Sequence, residues 1–264
     1  MNLSELKMKE LIQISVEAGQ EIMKIYIKDF NVELKADESP LTEADKAANT
    51  VIVNALKHLY PNIPIISEEN KLLEYEERKD WEYCWLVDPL DGTKEFIKKN
   101  GEFTVNIALI HQQTIVAGVV FVPATNKVFY AIKDHGAFLI DNDSEPQLLR
   151  IRPIAEDGIL KVVGSRSHNS KEVDDYVSEL RKSYSEIEFV AAGSSLKFCL
   201  IAEGKADVYP RLAPTMEWDT GAGQIVASEA GAEVLRFPEM TPLDYNKENL
   251  LNPYFIVLNP DLKN

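Results

Sequence analysis

Trp85-Leu86-Val87-Asp88-Pro89-Leu90-Asp91-Gly92-Thr93 is the stretch that decides the fold. A short apolar run, Cys84 to Val87, reads as a buried strand and stops at an acid. A second acid, a glycine and a threonine follow. Pro89 biases Asp88 toward an extended backbone, so the strand can end with that carboxylate pointing forward. Gly92 permits a sharp turn, which leaves backbone carbonyls, that of Leu90 first, free to ligate. Gly92-Thr93-Lys94-Glu95-Phe96 then reads as the start of a helix, whose N–H groups favour phosphate oxygens. Two carboxylates at a strand mouth are costly to desolvate unless a cation lies between them. Hard divalent cations such as Mg²⁺ take carboxylate, carbonyl, water and phosphate oxygens, so the segment points to a metal site and phosphate chemistry. The competing reading, an acidic turn that caps a helix, needs one acid rather than two.

Working outward, residues 4–28 read as an amphipathic helix, with Leu3, Leu11, Ile14, Ala18, Ile22 and Ile25 at helical spacing. Lys35 to Thr42 reads as a loop with a turn at Ser39-Pro40, and Glu43 to His58 as a second helix. Asn62 to Ile66 is a short strand that runs into Ser67-Glu68-Glu69. Downstream, Phe103–Ile110, Thr114–Val122, Val128–Ile132 and Ala137–Ile140 read as successive antiparallel strands joined by short turns. Residues 141–157 are polar and carry two prolines, a domain boundary by composition. Beyond it, strands at Leu160–Val163, Ile187–Ala191, Ala206–Tyr209, Glu233–Leu235 and Phe255–Leu258 alternate with helices at Lys171–Ser183, Ser194–Glu203 and Thr220–Ala230. Such alternation predicts an α/β layer arrangement. The chain therefore divides into an α+β domain, 1–145, carrying the main acidic motif, and an α/β domain, 146–264.

The chain has 264 residues and a net charge of −15. That balance excludes a general nucleic-acid-coating surface, which needs clustered Lys and Arg. It also repels phosphorylated ligands, unless a bound cation reverses the sign locally. Cys84 and Cys199 sit far apart among apolar neighbours and read as buried free thiols. No apolar run approaches the roughly 20 residues that span a bilayer. The expected location is the cytoplasm or the surface of the inner membrane. The oligomeric state leaves no trace in the sequence.

Two further acidic features stand elsewhere. Glu68 follows a strand and so can reach the same sheet edge as Asp88, although adjacent acids in a loop are usually solvated. Trp218-Asp219-Thr220-Gly221-Ala222-Gly223 opens a helix, with Asp219 as its N-cap, as a ligand, or both. The small residues after Asp219 let that helix approach another backbone closely.

Asp88-Pro89-Leu90-Asp91-Gly92-Thr93 and Trp218-Asp219-Thr220-Gly221-Ala222-Gly223 resemble the paired signatures of the inositol monophosphatase superfamily, the Li⁺-sensitive, Mg²⁺-dependent phosphomonoesterases. Ser67-Glu68-Glu69 lies where that family carries a metal-binding glutamate. Lys94-Glu95-Phe96-Ile97 with Asn100 to Asn106, Gly164-Ser165-Arg166-Ser167-His168 and Gly193-Ser194-Ser195-Leu196-Lys197-Phe198-Cys199 are similar to the bacterial 3′(2′),5′-bisphosphate nucleotidases within it. The resemblance implies a layered α/β/α/β/α sandwich of the inositol monophosphatase and fructose-1,6-bisphosphatase type. It implies two or three Mg²⁺ ions on Glu68, Asp88, Asp91, Asp219 and the Leu90 carbonyl, with Asp88 bridging. It also implies that Thr93 orients the attacking water, paired with Asp45.

The implied reaction is hydrolysis of 3′-phosphoadenosine 5′-phosphate to AMP and phosphate by metal-activated water. Glu68, Gly92, Thr93 and Asp219 would surround the scissile phosphate. The second phosphate needs cations outside the metal cluster, for which Lys197 and Arg211 are candidates, with Ser194 as a donor and His168 near the nucleotide. Arg211 is the better suited, because Arg binds phosphate bidentately. Inositol phosphates or other sugar phosphates are the alternative substrates. A non-catalytic Mg²⁺-dependent polyanion binder is the alternative of another class, disfavoured because binding needs neither Thr93 nor Asp45. An aspartyl-phosphate phosphatase carries Asp-x-Asp-Gly-Thr, one residue shorter than the spacing here. The four scattered histidines disfavour a zinc hydrolase, and a Walker phosphate loop is absent.

Overall fold

The computed structural model describes residues 5–28, 40–154, 158–165 and 170–262. The strand that ends in the acidic motif is β2 (Tyr83–Asp91), and its side chains alternate between two cores. Trp85 and Val87 point to one face, Cys84 and Leu86 to the other. Both faces are buried, which is why the run is apolar without alternation. β2 lies within a seven-stranded sheet together with β1 (Ile65–Ser67), β3 (Thr104–His111), β4 (Thr114–Val122), β5 (Lys127–Ile132), β6 (Gly136–Asp141) and β7 (Gln147–Leu148), in chain order. β1 and β2 are parallel, and every later pair is antiparallel.

One face of this sheet is covered by α1 (Met8–Tyr26) and α2 (Pro40–Leu59), which bury Leu11, Ile14, Ile22, Ala48, Ile52 and Leu56. The other face meets α6 (Leu196–Ala202) and α7 (Glu217–Glu229). A five-stranded sheet lies beyond them, in the order β11 (Glu233–Arg236), β12 (Phe255–Leu258), β10 (Val208–Arg211), β8 (Ile159–Gly164), β9 (Glu186–Ala191). β8 is parallel to β9 and β10, whereas β12 is antiparallel to both its neighbours. α5 (Lys171–Leu180) closes the outer face with Val173, Val177 and Leu180 against Leu160, Val162 and Ile256. The layers therefore run helices, sheet, helices, sheet, helix, the expected sandwich.

α7 lies close on the first sheet, and its small residues allow this. A Cβ added at Gly118 of β4 would stand 2.9 Å from the Ala222 Cα, and one at Gly221 would stand 3.0 Å from a Leu86 methyl. The approach sets the height of Asp219 above the strand ends.

Several boundaries depart from the sequence reading. β2 does not stop at Asp88 but continues to Asp91, with a register shift between the two acids. The irregularity absorbs Pro89, which cannot donate to the ladder. Pro40 lies inside α2 rather than in a turn, a tolerated place because the first helical N–H has no partner in the helix; Ser39 and the rest of the predicted loop to its N-terminal side lie outside the described residues. α7 begins at Glu217, three residues before Thr220, so Asp219 is not the N-cap. Its Oδ2 instead accepts from the Met216 N–H at 2.9 Å, reaching back over the first turn. α6 begins at Leu196, because Ser194 has φ 42° and cannot be helical.

Candidate active site

Parallel pairing of β1 and β2 brings two of the acids together. The Glu68 N–H donates to the Val87 carbonyl at 3.2 Å, so Glu68, just past the end of β1, stands beside Asp88 of β2. The Asn49 side-chain Oδ1 accepts from the Ser67 hydroxyl at 2.7 Å, which ties α2 to the end of β1. Asp45, on the first turns of α2, is buried and faces the same region. Asp219 enters from the first turn of α7.

The electrostatics show five carboxyls that feel one another. Burial pushes the Asp45 carboxyl up to about 8, with Glu69 and Glu68 adding to the shift. Asp88 is raised well above the usual range by burial first, then by Asp91, Glu68, Asp219 and Asp45. Asp219 is pushed up to about 7, by burial and then by Asp91. Glu68 has exposed surface, yet its carboxyl shares a hydrogen bond with Asp88 and is raised by lost hydration first. Asp91 is also raised by burial, but Lys197 and hydrogen bonds from Ser195 and Asn106 oppose the shift.

These acids suit a hard divalent cation. Every candidate donor is an oxygen, and the groups raise one another's proton affinity for want of positive charge. Asp45 Oδ1 is buried with no hydrogen-bond partner, an expensive arrangement for an oxygen that nothing is meant to meet. Among the described residues, no three acidic, histidine or cysteine side chains stand close enough to enclose an ion as they are. The acids are neighbours rather than a closed cage.

A cavity of about 360 Å³ opens beside them, lined by Asp91, Gly92, Ser194, Lys197, Arg211 and Asp219 among others. That is enough room for a small phosphorylated molecule. Gly92 has φ 95°, and a Cβ there would stand 3.0 Å from the Glu102 carbonyl, so glycine is required at this turn. α4 (Thr93–Ile97) follows it where the sequence predicts a helix start, and has only five residues. Any anion attraction there rests on individual N–H groups. No Thr93–Asp45 hydrogen bond is made through Asp45 Oδ1.

The second-phosphate candidates divide. Arg211 Nη2 donates to the Pro214 carbonyl at 2.9 Å, while its Nε is buried without a partner. Lys197 is not a surface cation. Its ammonium donates to the Ser194 carbonyl at 2.7 Å and lies 5.5 Å from the centre of the Tyr209 ring. Burial pulls its pKa down to about 8, against the pull of Asp91. Ser194 Oγ is 3.1 Å from Thr104 Oγ1. His168 lies outside the described residues, as do Arg166 and Ser167. Cys84 and Cys199 are buried free thiols; burial pushes Cys84 up to about 12 and Cys199 well above its ordinary value.

The sequence reading misses three contributors. Asp91 Oδ2 accepts from Ser195 N at 2.7 Å, from Ser195 Oγ at 2.9 Å and from Asn106 Nδ2 at 3.5 Å. The small polar run Gly193-Ser194-Ser195 after a strand was the available signal, read there only for Ser194. Glu217, fully buried at the first residue of α7, accepts from the Asn246 and Lys247 N–H groups at 2.6 and 3.1 Å and from the Lys247 ammonium. It anchors the helix end that carries Asp219.

Residues 5–256 match the inositol monophosphatase family. The chain is 45% identical over 251 residues to the 3′(2′),5′-bisphosphate nucleotidase CysQ of Escherichia coli, covering 94% of this chain and 98% of that one. It is 35% identical over 260 residues to the protein of the same name from Haemophilus influenzae, covering 98% and 94%. The crystal structure of CysQ from Bacteroides thetaiotaomicron superimposes with a TM-score of 0.88 at 41% identity, over 98% of this chain and 99% of that one. Inositol monophosphatase II from Staphylococcus aureus shares the fold, with a TM-score of 0.77 at 19% identity over 96% and 91%.

Proposed function

This chain belongs to the inositol monophosphatase family, and from that membership we propose that it is a 3′(2′),5′-bisphosphate nucleotidase, removing the 3′-phosphate of 3′-phosphoadenosine 5′-phosphate to leave AMP. The observation that carries the reading is identity of 45% across almost the whole length of a nucleotidase of that name. The acids beside the phosphate-sized cavity support it. Glu68, Asp88, Asp91, Asp219 and the Leu90 carbonyl would hold two or three Mg²⁺ ions. When bound, such ions lower the pKa of a coordinated water and neutralise charge that develops on phosphate.

The chain's own residues do the rest. Thr93, paired with Asp45, orients the attacking water, and Asp45 keeps one buried oxygen unpartnered for that role. Glu68, Gly92, Thr93 and Asp219 border the scissile phosphate. Arg211 reads the second phosphate in the cavity, with Ser194 beside it. Lys197 steadies this wall from beneath, its ammonium held by the Ser194 carbonyl. The attack is direct, so solvent oxygen enters the released phosphate and no phosphoenzyme forms on Asp88.

The test is a specificity-constant panel at fixed Mg²⁺. It compares 3′-phosphoadenosine 5′-phosphate with inositol 1-phosphate, fructose 1,6-bisphosphate and NADP. Preference for the first is expected, together with inhibition by Li⁺. Preference for inositol 1-phosphate would move the chain to another branch of the family. No turnover on any of them would leave only polyanion binding.

A further inference from the structure

The chain around Ser195 is arranged at some cost. A Cβ at Gly193 would stand 2.6 Å from Glu95 Cγ and 2.8 Å from the Glu102 carbonyl, so the backbone passes where no other residue fits. Ser194 follows at φ 42°, a region that L-residues seldom occupy. Three bonds hold this path in place. Gly193 N donates to Glu102 Oε2 at 2.9 Å, Ser194 Oγ meets Thr104 Oγ1 at 3.1 Å, and the Ser194 carbonyl accepts from Lys197 at 2.7 Å. The result is that Ser195 presents both its N–H and its hydroxyl to Asp91 Oδ2.

Asn106 reaches the same point from β3, where it stands opposite Asp88. It is buried amid apolar residues of a central strand. Its Nδ2 donates to Ser195 Oγ at 2.9 Å and contacts Asp91 Oδ2 at 3.5 Å, while its own Oδ1 is buried with no partner. A buried orphan acceptor is destabilising, so the side chain is there for its donors. The Ser195 hydroxyl also lies 3.0 Å from the Asp219 carbonyl. With one proton to give, it serves the carboxylate when Asp91 is ionised.

We infer that Ser195 and Asn106 are positioning residues that commit Asp91 Oδ2 to the protein and so leave its Oδ1 as the oxygen that meets a divalent cation. The inference rests on the reading of Asp91 as a cation ligand. Donors that orient a ligating carboxylate are worth roughly 10–100-fold in metal affinity. Neither residue is among those that line the cavity beside the acids. Their effect is to pre-aim one carboxylate, with three donors from two separate elements sharing the load.

The experiment is isothermal titration of the metal-stripped full chain with Mg²⁺, repeated with Mn²⁺ by electron paramagnetic resonance. The variants are Ser195→Ala, Asn106→Leu, Asp91→Asn and Ser195→Ala with Asp91→Asn. Ser195→Ala and Asn106→Leu are each expected to weaken metal binding by about tenfold, with circular dichroism unchanged. In the Asp91→Asn background, Ser195→Ala is expected to add less than about twofold, because the carboxylate it orients is gone. At saturating Mg²⁺ the substrate KM stays near wild type in the Ser195 and Asn106 variants. Ser195→Cys, which keeps the volume but donates weakly, carries the test if the alanine variant unfolds. Wild-type metal affinity in the Ser195 and Asn106 variants, with loss in Asp91→Asn, overturns the positioning role and leaves the site reading intact. Wild-type affinity in Asp91→Asn overturns both.

Discussion

Asp45→Asn is expected to make the metal-free protein more stable in mild alkali while removing its activity. Asp45 is buried, and its carboxyl is pushed from 3.8 to about 8 by lost hydration and then by Glu69 and Glu68. Between those limits the folded chain holds a proton that the unfolded chain has released. Stability from this group is therefore full below the unfolded pKa and is lost as pH rises through the folded one. Integrated from pH 6 to pH 8, one such proton is worth about 2 kcal/mol. Asparagine has the same shape and no proton to lose, so the slope assigned to Asp45 vanishes in the variant. Urea melts in chelator at pH 6, 7 and 8 measure the difference between the two proteins. Wild type is expected to lose about 2 kcal/mol more than the variant over that window. Subtracting the variant cancels the other carboxyls to first order, and Lys197, whose pKa is pulled down to about 8, acts above the window. Parallel pH profiles for the two proteins would refute the account, because they would mean that Asp45 is ordinarily hydrated. In saturating Mg²⁺ the wild-type slope should reverse, since protons compete with the metal for the carboxylates proposed to hold it, Glu68, Asp88, Asp91 and Asp219.

Three further outcomes follow from the same geometry. Asp91→Asn is expected to abolish phosphate release while far-UV circular dichroism stays as in wild type; substantial turnover would remove Asp91 from the site. Arg211→Ala is expected to lower kcat/KM on a bisphosphate substrate by at least about tenfold, a loss of about 1.4 kcal/mol, with a much smaller effect on a simple monophosphate. Equal losses would mean that Arg211 does not read the second phosphate. Gly118→Ala places a methyl 2.9 Å from the Ala222 backbone and 2.7 Å from an Ile225 methyl, so it is expected to cost about 1–3 kcal/mol in urea melts. An unchanged midpoint would show that α7 can back away from the sheet.

What the sequence could reveal depended on how local the cause was. The antiparallel run from β3 to β6 was readable because each strand is apolar and each connection is a short turn. Asp88 and Asp91 were readable because two acids around Pro89 have few structural excuses. Asp219 was half-readable. Its place near the start of a helix was evident, but its reach back to the Met216 N–H was not, since capping and reaching back use the same residue type. The extension of β2 through Pro89 was hidden because proline argues against a strand unless the ladder is irregular there.

The deeper part of the site was unreadable for a physical reason. Ser195 reaches Asp91 across 104 positions, and Asn106 reaches Ser195 across 89. Hydrogen bonds between such distant residues leave no periodic trace in a single sequence, and serine and asparagine are common in loops for other causes. Lys197 shows the opposite limit. Its sequence leaves open a solvated cation or a phosphate contact, and says nothing of its burial; here it is buried against Tyr209 while still lining the cavity. Its charge is retained in the interior because Asp91 is close and the Ser194 carbonyl accepts one of its protons. In a chain of net charge −15, a buried cation beside an acid cluster offsets part of the repulsion that gathering those acids creates. Lys197→Met is therefore expected to raise the pKa of Asp91 and shift its titration, followed by carbon-13 NMR of the metal-free protein, to higher pH. A titration left where it stands in wild type would show that Asp91 does not depend on this ammonium.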